Sequence, residues 1–292
     1  MLARSDAARV LIGLVGEGIQ QSHAPLLHER EAHRQGIPLI YTIIDAAEHG
    51  LTASDLPDIL RWARLLGYRG LNVTHPFKQE VVRYLDHLST EARLLGAVNT
   101  LVFDGTRACG YNTDSSGFAR SFAREFATAP RRLVVQLGAG GAGAAVAHAL
   151  LSQGVRRLAL VDLDPTKAIQ LSETLTSQFG AGRVEVGRMD QLTATLARAD
   201  GLVNATPMGM VHHPGSPVPA ADLRSDMWVA DIVYRPVDTA LLRAARAVGA
   251  PILHGGGMNA YQAVAAYEHF TGRPADADAM LADSAELLDA GL

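Results

Sequence analysis

Residues 133–143 read Leu133-Val134-Val135-Gln136-Leu137-Gly138-Ala139-Gly140-Gly141-Ala142-Gly143. A β-branched apolar run of strand length ends in glycines spaced G-x-G-x-x-G, Ala144 to Ser152 continues at helical spacing, and Leu158 to Val161 is strand-like again. The glycine spacing alone is weak evidence, but strand, glycines, small-residue helix and second strand in that order describe a dinucleotide-binding βαβ unit. The first glycine permits the tight turn, the second lets backbone approach a pyrophosphate, and the third lets helix pack on strand. The helix N-terminus then faces the phosphate charge. Gly138, Ala139, Gly140, Gly141 and Ala142 are therefore candidate cofactor contacts.

The second strand of that unit ends Val161-Asp162-Leu163-Asp164. A carboxylate about twenty residues beyond the glycine loop can accept hydrogen bonds from the adenosine ribose hydroxyls. This favours NAD over NADP, because a 2′-phosphate is usually met by arginine and is repelled by a carboxylate. Lys167 is the cation near enough to soften that preference. Downstream, Ala199 to Asn204 reads as a strand running into a turn, followed by a Pro/Gly-rich loop through Pro219 expected to be mobile at the cofactor. Trp228 to Tyr234 is another strand, Ala240 to Val248 a helix, and Pro251 to His254 a short strand leading into Gly255-Gly256-Gly257. A glycine run after a strand allows close backbone approach, here expected toward the nicotinamide. Helices are expected at Met258 to Phe270 and Asp276 to Leu288.

The region before residue 131 alternates in the same way. Strands are expected at Ala8 to Val15, Pro38 to Ile44 and Gly70 to Thr74, with helices at Pro25 to Gln35 and Ala53 to Leu66, which is α/β architecture. Pro76 suits the opening of a helix over Phe77 to Leu88, which places Lys78 in a first turn. Of the 26 basic residues only Lys78 and Lys167 are lysines. Lysine does what a permanently charged planar guanidinium cannot, titrating and making point-charge contacts in a tight pocket. Asn72 and Thr74 lie two apart on an extended segment and so share a face beside Lys78, a group that invites a hydroxylated, anionic ligand. Asn99 to Phe103, the turn signal Asp104-Gly105 and Arg107 to Asp114 read as a hairpin whose ends bring Asn99 and Asp114 together. Asn112-Thr113-Asp114 reads equally as an Asx turn capping the helix from Gly117 to Phe126.

A chain of 292 residues, 48% apolar and 19% charged with net charge −4, is long enough for two domains and lacks the basic excess that nucleic acid or anionic membranes select. The single Cys109 provides no disulfide framework and no thiolate cluster. Met1 to Ala8 has no signal-type apolar stretch and no run approaches the roughly 18 apolar residues of a membrane span, so a cytoplasmic protein is expected. His212-His213 has no carboxylate or cysteine at ligand spacing, and no metal is expected.

Six segments, Asn72-Val73-Thr74-His75-Pro76-Phe77-Lys78, Gly96-Ala97-Val98-Asn99-Thr100, Asn112-Thr113-Asp114, 138–142, Asn204-Ala205-Thr206-Pro207-Met208-Gly209-Met210 and 257–262, together resemble the shikimate dehydrogenase family, which includes quinate/shikimate dehydrogenases. The resemblance implies a discontinuous catalytic domain (1–115 and 258–292), a Rossmann NAD-binding domain (116–257) and an active site in the cleft between them. It implies that Lys78 and Asp114 are catalytic. Asn72, Thr74, Asn99 and Gln262 would bind ring hydroxyls, Tyr234 would contact substrate, and Thr206, Met208 and Gly255 would lie near the nicotinamide. The small-molecule partner would be a cyclohexane or cyclohexene carboxylic acid, handled by a monomer or a homodimer.

The chain departs from the family at Ser22-His23-Ala24: shikimate dehydrogenases carry serine at both outer positions to hold the substrate carboxylate, and quinate-using relatives tend to have threonine at the second. Losing one hydrogen bond to a charged group costs roughly 1.5–3 kcal/mol. Ala24 therefore points to quinate or a related acid over shikimate. An aminoshikimate-type substrate, or a nucleotide-binding regulator without turnover, are the alternatives; the Lys78/Asp114 pair argues against the regulator.

Overall fold

In the computed structural model, which describes residues 9–290, the chain divides into two compact units, Met1–Thr113 with Ala260–Leu292, and Asp114–Asn259. Met1–Ala8, on which the absence of a leader was read, lie outside the described residues.

The first unit is built on β1 (Val10–Gly16), α1 (Ala24–Arg34), β2 (Leu39–Asp45), α2 (Ala46–His49), α3 (Leu56–Leu65), β3 (Gly70–Val73), β4 (His87–Leu88), α4 (Thr90–Leu95), β5 (Thr100–Asp104) and β6 (Arg107–Tyr111). Its sheet runs β2-β1-β3-β5-β6-β4, with β1 parallel to β2 and β3, and β5 antiparallel to β3 and β6. Asp104 pairs with Arg107, and Gly105 takes the positive φ of 59° that the tight hairpin turn demands. One face of the sheet buries Val15, Leu71, Phe77, Val81 and Leu101 under α3. The other buries Ile12, Leu14 and Tyr41 against Phe270.

The expected helix over 77–88 does not form. Lys78 lies in a turn, followed by a 3-10 helix, Glu80–Tyr84, and then the short β4. Where an α-helix would pair the Lys78 carbonyl with Val82 N–H, that carbonyl takes the Val98 N–H at 2.8 Å. Val82 turns instead to the Gln79 carbonyl at 3.3 Å.

The chain enters the second unit through α5 (Thr113–Glu125). There follow β7 (Leu133–Leu137), α6 (Gly141–Ser152), β8 (Arg157–Val161), α7 (Pro165–Phe179), β9 (Val184–Val186), α8 (Leu192–Leu196), β10 (Gly201–Asn204), β11 (Trp228–Asp231), α9 (Ala240–Ala247) and β12 (Ile252–His254). All strands are parallel, in the order β12-β11-β10-β7-β8-β9. The chain reverses direction across this sheet between β7 and β10, and ligands of such sheets bind outside the carboxyl ends at that switch point. The closing helices are α10 (Gly255–Thr271) and α11 (Ala277–Asp289), the latter capped by Asp276 accepting from Ala279 N–H at 3.0 Å.

Gly255-Gly256-Gly257 forms the first turn of α10 rather than a loop. A Cβ on Gly255 would lie 2.2 Å from the Ile232 carbonyl oxygen, and one on Gly257 would lie 2.3 Å from Ser121 Oγ. On the faces their Cβ atoms would occupy, the close approach that Gly255 and Gly257 permit is to protein.

Candidate active site

Gly138 leaves β7 with φ 95°, and a Cβ there would meet the Ala205 carbonyl oxygen at 2.6 Å. Gly143 is equally constrained: its Cβ would stand 2.3 Å from the Gly138 oxygen. Buried Gln136 bridges the two ends of the loop, its Nε2 donating to the carbonyls of Gly138 (2.9 Å) and Gly143 (2.8 Å). Around Gly140 and Gly141, by contrast, an added Cβ would meet nothing, so the N-terminus of the twelve-residue α6 faces open space. That combination of a braced loop and an open helix start suits a pyrophosphate. The Asp162 carboxylate accepts from Ala139 N–H at 2.7 Å and from Asp164 N–H at 2.8 Å, which fixes it beside the glycine loop.

At the ends of β10 and β11 a buried polar network shapes the turn that carries Thr206 and Met208. Asn204 Oδ1 accepts from the Thr206 backbone and hydroxyl (3.1 and 2.7 Å), and its Nδ2 donates to the Met208 carbonyl and to Asp231 Oδ1, each at 2.9 Å. Asp231 accepts in addition from Val233 N–H and from the Thr239 hydroxyl. Burial pushes the Asp231 carboxyl up to about 6, against the opposing pull of those donors. Met208 is 38% exposed and Tyr234 37% exposed, both available to a ligand.

In the first unit a second buried network runs across β2, β3 and β5. Tyr41 donates its hydroxyl to Asn72 Oδ1 at 2.9 Å, and Asn72 Nδ2 donates to the Asn99 carbonyl and to Thr100 Oγ1. Asn99 Oδ1 accepts from Thr113 N–H at 2.8 Å while its Nδ2 donates to Thr113 Oγ1 at 2.9 Å. Both ends of the Asn99 amide therefore grip the residue immediately before Asp114, which is buried in the first turn of α5. The ends of the hairpin thus bring Asn99 onto Thr113. Asn72 has committed both amide hydrogens inside the protein and can meet a ligand only through its oxygen. Asn112 donates to the Ala97 carbonyl at 3.0 Å.

Lys78 and Thr74 are both half-buried, on the turn that follows β3. Ser22 is half-buried with its Oγ accepting from Ala24 N–H at 3.2 Å, and Gln262 is half-buried on α10. The loop holding Ser22 is anchored by Asp45, whose carboxylate accepts from Gly18 and Ile19 N–H at 3.0 and 2.8 Å. Burial works to raise the Asp45 carboxyl, but N–H donors from Ile19, Gly18, Ala47 and Glu48 hold it below its usual value. Among the described residues no cluster of histidine, cysteine, aspartate or glutamate could hold a metal, and no helix is long and apolar enough to cross a membrane.

Residues 14–101 match the shikimate dehydrogenase substrate binding domain, and residues 257–282 the shikimate 5'-dehydrogenase C-terminal domain. A shikimate dehydrogenase (NADP(+)) of Streptomyces avermitilis is 52% identical over 277 residues, 95% of either chain. The chain belongs to the shikimate dehydrogenase family. Within that family its structure resembles quinate dehydrogenase from Corynebacterium glutamicum in complex with NAD, with a TM-score of 0.90 and 42% identity over 96% of this chain and 99% of the other. It also resembles shikimate 5-dehydrogenase from Thermus thermophilus in complex with NADP(H) and shikimate, with a TM-score of 0.82 and 31% identity over 96% and 100% of the two chains.

For a shikimate dehydrogenase family member, the residues that sequence reasoning missed are the ones that hold the site's residues in place. Gln136, Asp231 and Thr239 brace the two turns of the second unit, and Tyr41, Thr100, Thr113 and Asp45 do the same in the first. The available signal was a polar residue at the carboxyl end of an otherwise apolar strand, as with Asp45 after Ile43-Ile44 and Asp231 after Val229-Ala230.

Proposed function

We propose that this protein catalyses the reversible, NAD(P)-dependent oxidation of quinate or shikimate to the 3-dehydro compound, with NAD preferred. The observation that supports the reading is the double grip of Asn99 on Thr113, which holds the backbone immediately before Asp114. In oxidation the hydroxyl proton leaves as the carbinol carbon gives up its hydride, and Lys78 with Asp114 takes that proton. In reduction the same pair returns it, and the lysine charge stabilises the developing alkoxide. When bound, the dinucleotide would supply the hydride acceptor at its nicotinamide, with its pyrophosphate held at Gly138–Ala142 and its adenosine ribose at Asp162.

Thr74, Asn99, Gln262 and the oxygen of Asn72 orient the ring hydroxyls, Ser22 holds the carboxylate and Tyr234 contacts the substrate. Thr206 and Met208 flank the nicotinamide. Gly255 supports that end of the site by letting α10 pack onto the exit of β11. The preference for NAD rests on the Asp162 carboxylate at the loop, where a 2′-phosphate would be repelled. Relatives carry both cofactors in their names, and in this reading the choice turns on Asp162. Ala24 removes one hydroxyl from the carboxylate site and favours quinate.

Initial rates with quinate and shikimate, each with NAD and NADP, test the proposal. Turnover of at least one acid, faster with NAD, is the expected result. No turnover in any combination overturns the activity, and a marked preference for NADP overturns the role given to Asp162.

A further inference from the structure

The cofactor loop occupies the carboxyl edge of the parallel sheet, and the opposite, amino edge carries a cavity of about 670 Å³. It is lined by Arg132 and Leu133 at the start of β7, by Gly154, Arg156 and Arg157 leading into β8, and by Gly182 and Arg183 leading into β9. The volume falls within the range of about 300–1,000 Å³ typical of small-molecule sites. Its lining is unlike an ordinary ligand pocket, because four of the seven residues are arginine.

Three of the guanidinium groups are held in place. Arg183 donates from Nε to the Arg156 carbonyl at 2.9 Å and from Nη2 to the Val155 carbonyl at 2.8 Å. Arg132 pairs with Asp200, itself buried, at 2.7 Å, and Arg157 pairs with Glu185 at 2.6 Å. Each of these anchors uses part of the fork and leaves other N–H groups for a ligand. Four guanidinium charges less the carboxylates of Asp200 and Glu185 leave a net +2 here, in a chain whose net charge is −4. Anchored arginine forks that carry uncompensated charge around a concavity suit the several oxygens of a phosphate group. The four arginines are grouped around one open concavity on an acidic chain and do not extend into a basic stripe, which disfavours nucleic acid.

We propose that this pocket binds a small phosphate-bearing anion at a site separate from the dinucleotide loop. The probe is inorganic pyrophosphate, titrated calorimetrically into protein already saturated with its dinucleotide, so that the α6 N-terminus is blocked. Saturable binding that weakens with added salt is expected. Arg156→Glu should weaken it by about tenfold or more, the effect of replacing a charge-assisted contact by a repulsive one. Arg157→Gln should weaken it less, and both variants should retain wild-type turnover and circular dichroism. Competition by a sugar phosphate would assign the ligand to an organic ester, and its failure to an inorganic anion; either outcome keeps the site. The proposal is overturned if wild type shows no saturable binding, if both variants bind pyrophosphate as wild type does, or if a single-stranded oligonucleotide binds these arginines and pyrophosphate does not displace it.

Discussion

His28 should make this protein acid-labile, and the size of the effect can be worked from its surroundings. The imidazole is 1% exposed, packed among the rings of Tyr41 (5.1 Å), Phe270 (5.9 Å) and Tyr267 (6.1 Å), and its Nδ1 has no hydrogen-bond partner among the described residues. Burial without a compensating partner lowers its pKa from 6.5 to about 3. A depressed histidine pKa means that the unfolded chain binds the proton first. The stability is fully present above pH 6.5 and is lost progressively as pH falls toward 3. At 1.36 kcal/mol per unit, the whole window is worth roughly 5 kcal/mol, of which about 2 kcal/mol is lost between pH 7 and pH 5. His28→Leu keeps a similar volume and a good helix former in α1 while removing the titration. Urea unfolding of both proteins, followed by far-ultraviolet circular dichroism at pH 7 and pH 5, measures the effect. The variant's advantage over wild type should grow by about 2 kcal/mol at the lower pH, other titrating groups cancelling in the difference. A gap that stays constant between the two pH values refutes the reasoning.

At the other end of the titration range, the Asp231 carboxyl raised to about 6 keeps its proton in the folded protein more readily than in the unfolded chain. Its contribution to stability is therefore present at low pH and lost as pH rises through 6, about 2 kcal/mol between pH 4 and pH 7. Asp231→Asn and Asp231→Ala should both abolish that slope in isothermal denaturation, and Asp231→Ala, which strands donors on Asn204, Val233 and Thr239, should be less stable than Asp231→Asn by roughly 2–4 kcal/mol at any pH. Lys78→Ala should lower kcat by about 10²–10⁴-fold while the dissociation constant of the dinucleotide stays within about threefold; fluorescence titration of the cofactor separates the two. Ala24→Ser should restore a hydrogen bond to the substrate carboxylate and raise kcat/KM for shikimate by about tenfold or more, read from initial rates.

The cofactor half of the site was legible because its residues are local in sequence. A strand, four glycines and a helix start occupy eleven consecutive positions, and the steric demands on Gly138 and Gly143 follow from that short path. The hairpin at Asp104-Gly105 was legible for the same reason. The 77–88 region misled because its apolar spacing satisfies a helix, while the Lys78 carbonyl pairs with Val98, twenty residues away, a partner no local pattern announces. At 255–257 the sequence could not show that the Cβ faces of Gly255 and Gly257 are filled by protein, the Ile232 carbonyl and Ser121.

The sequence by itself determined the α/β class, the dinucleotide loop, the hairpin and the residue types that bear the chemistry, since each depends on short-range periodicity, turn geometry or a motif read as a set. Only the tertiary structure decided that Asn72 spends its amide hydrogens on Asn99 and Thr100, that Asn99 grips the residue before Asp114, that Asp231 shapes the turn at Thr206, and that arginines from three strand starts share one cavity. Those relations join residues tens of positions apart. Hydrogen bonding and burial act through distance in space, so no pattern along the chain could have fixed which partner each polar group would find.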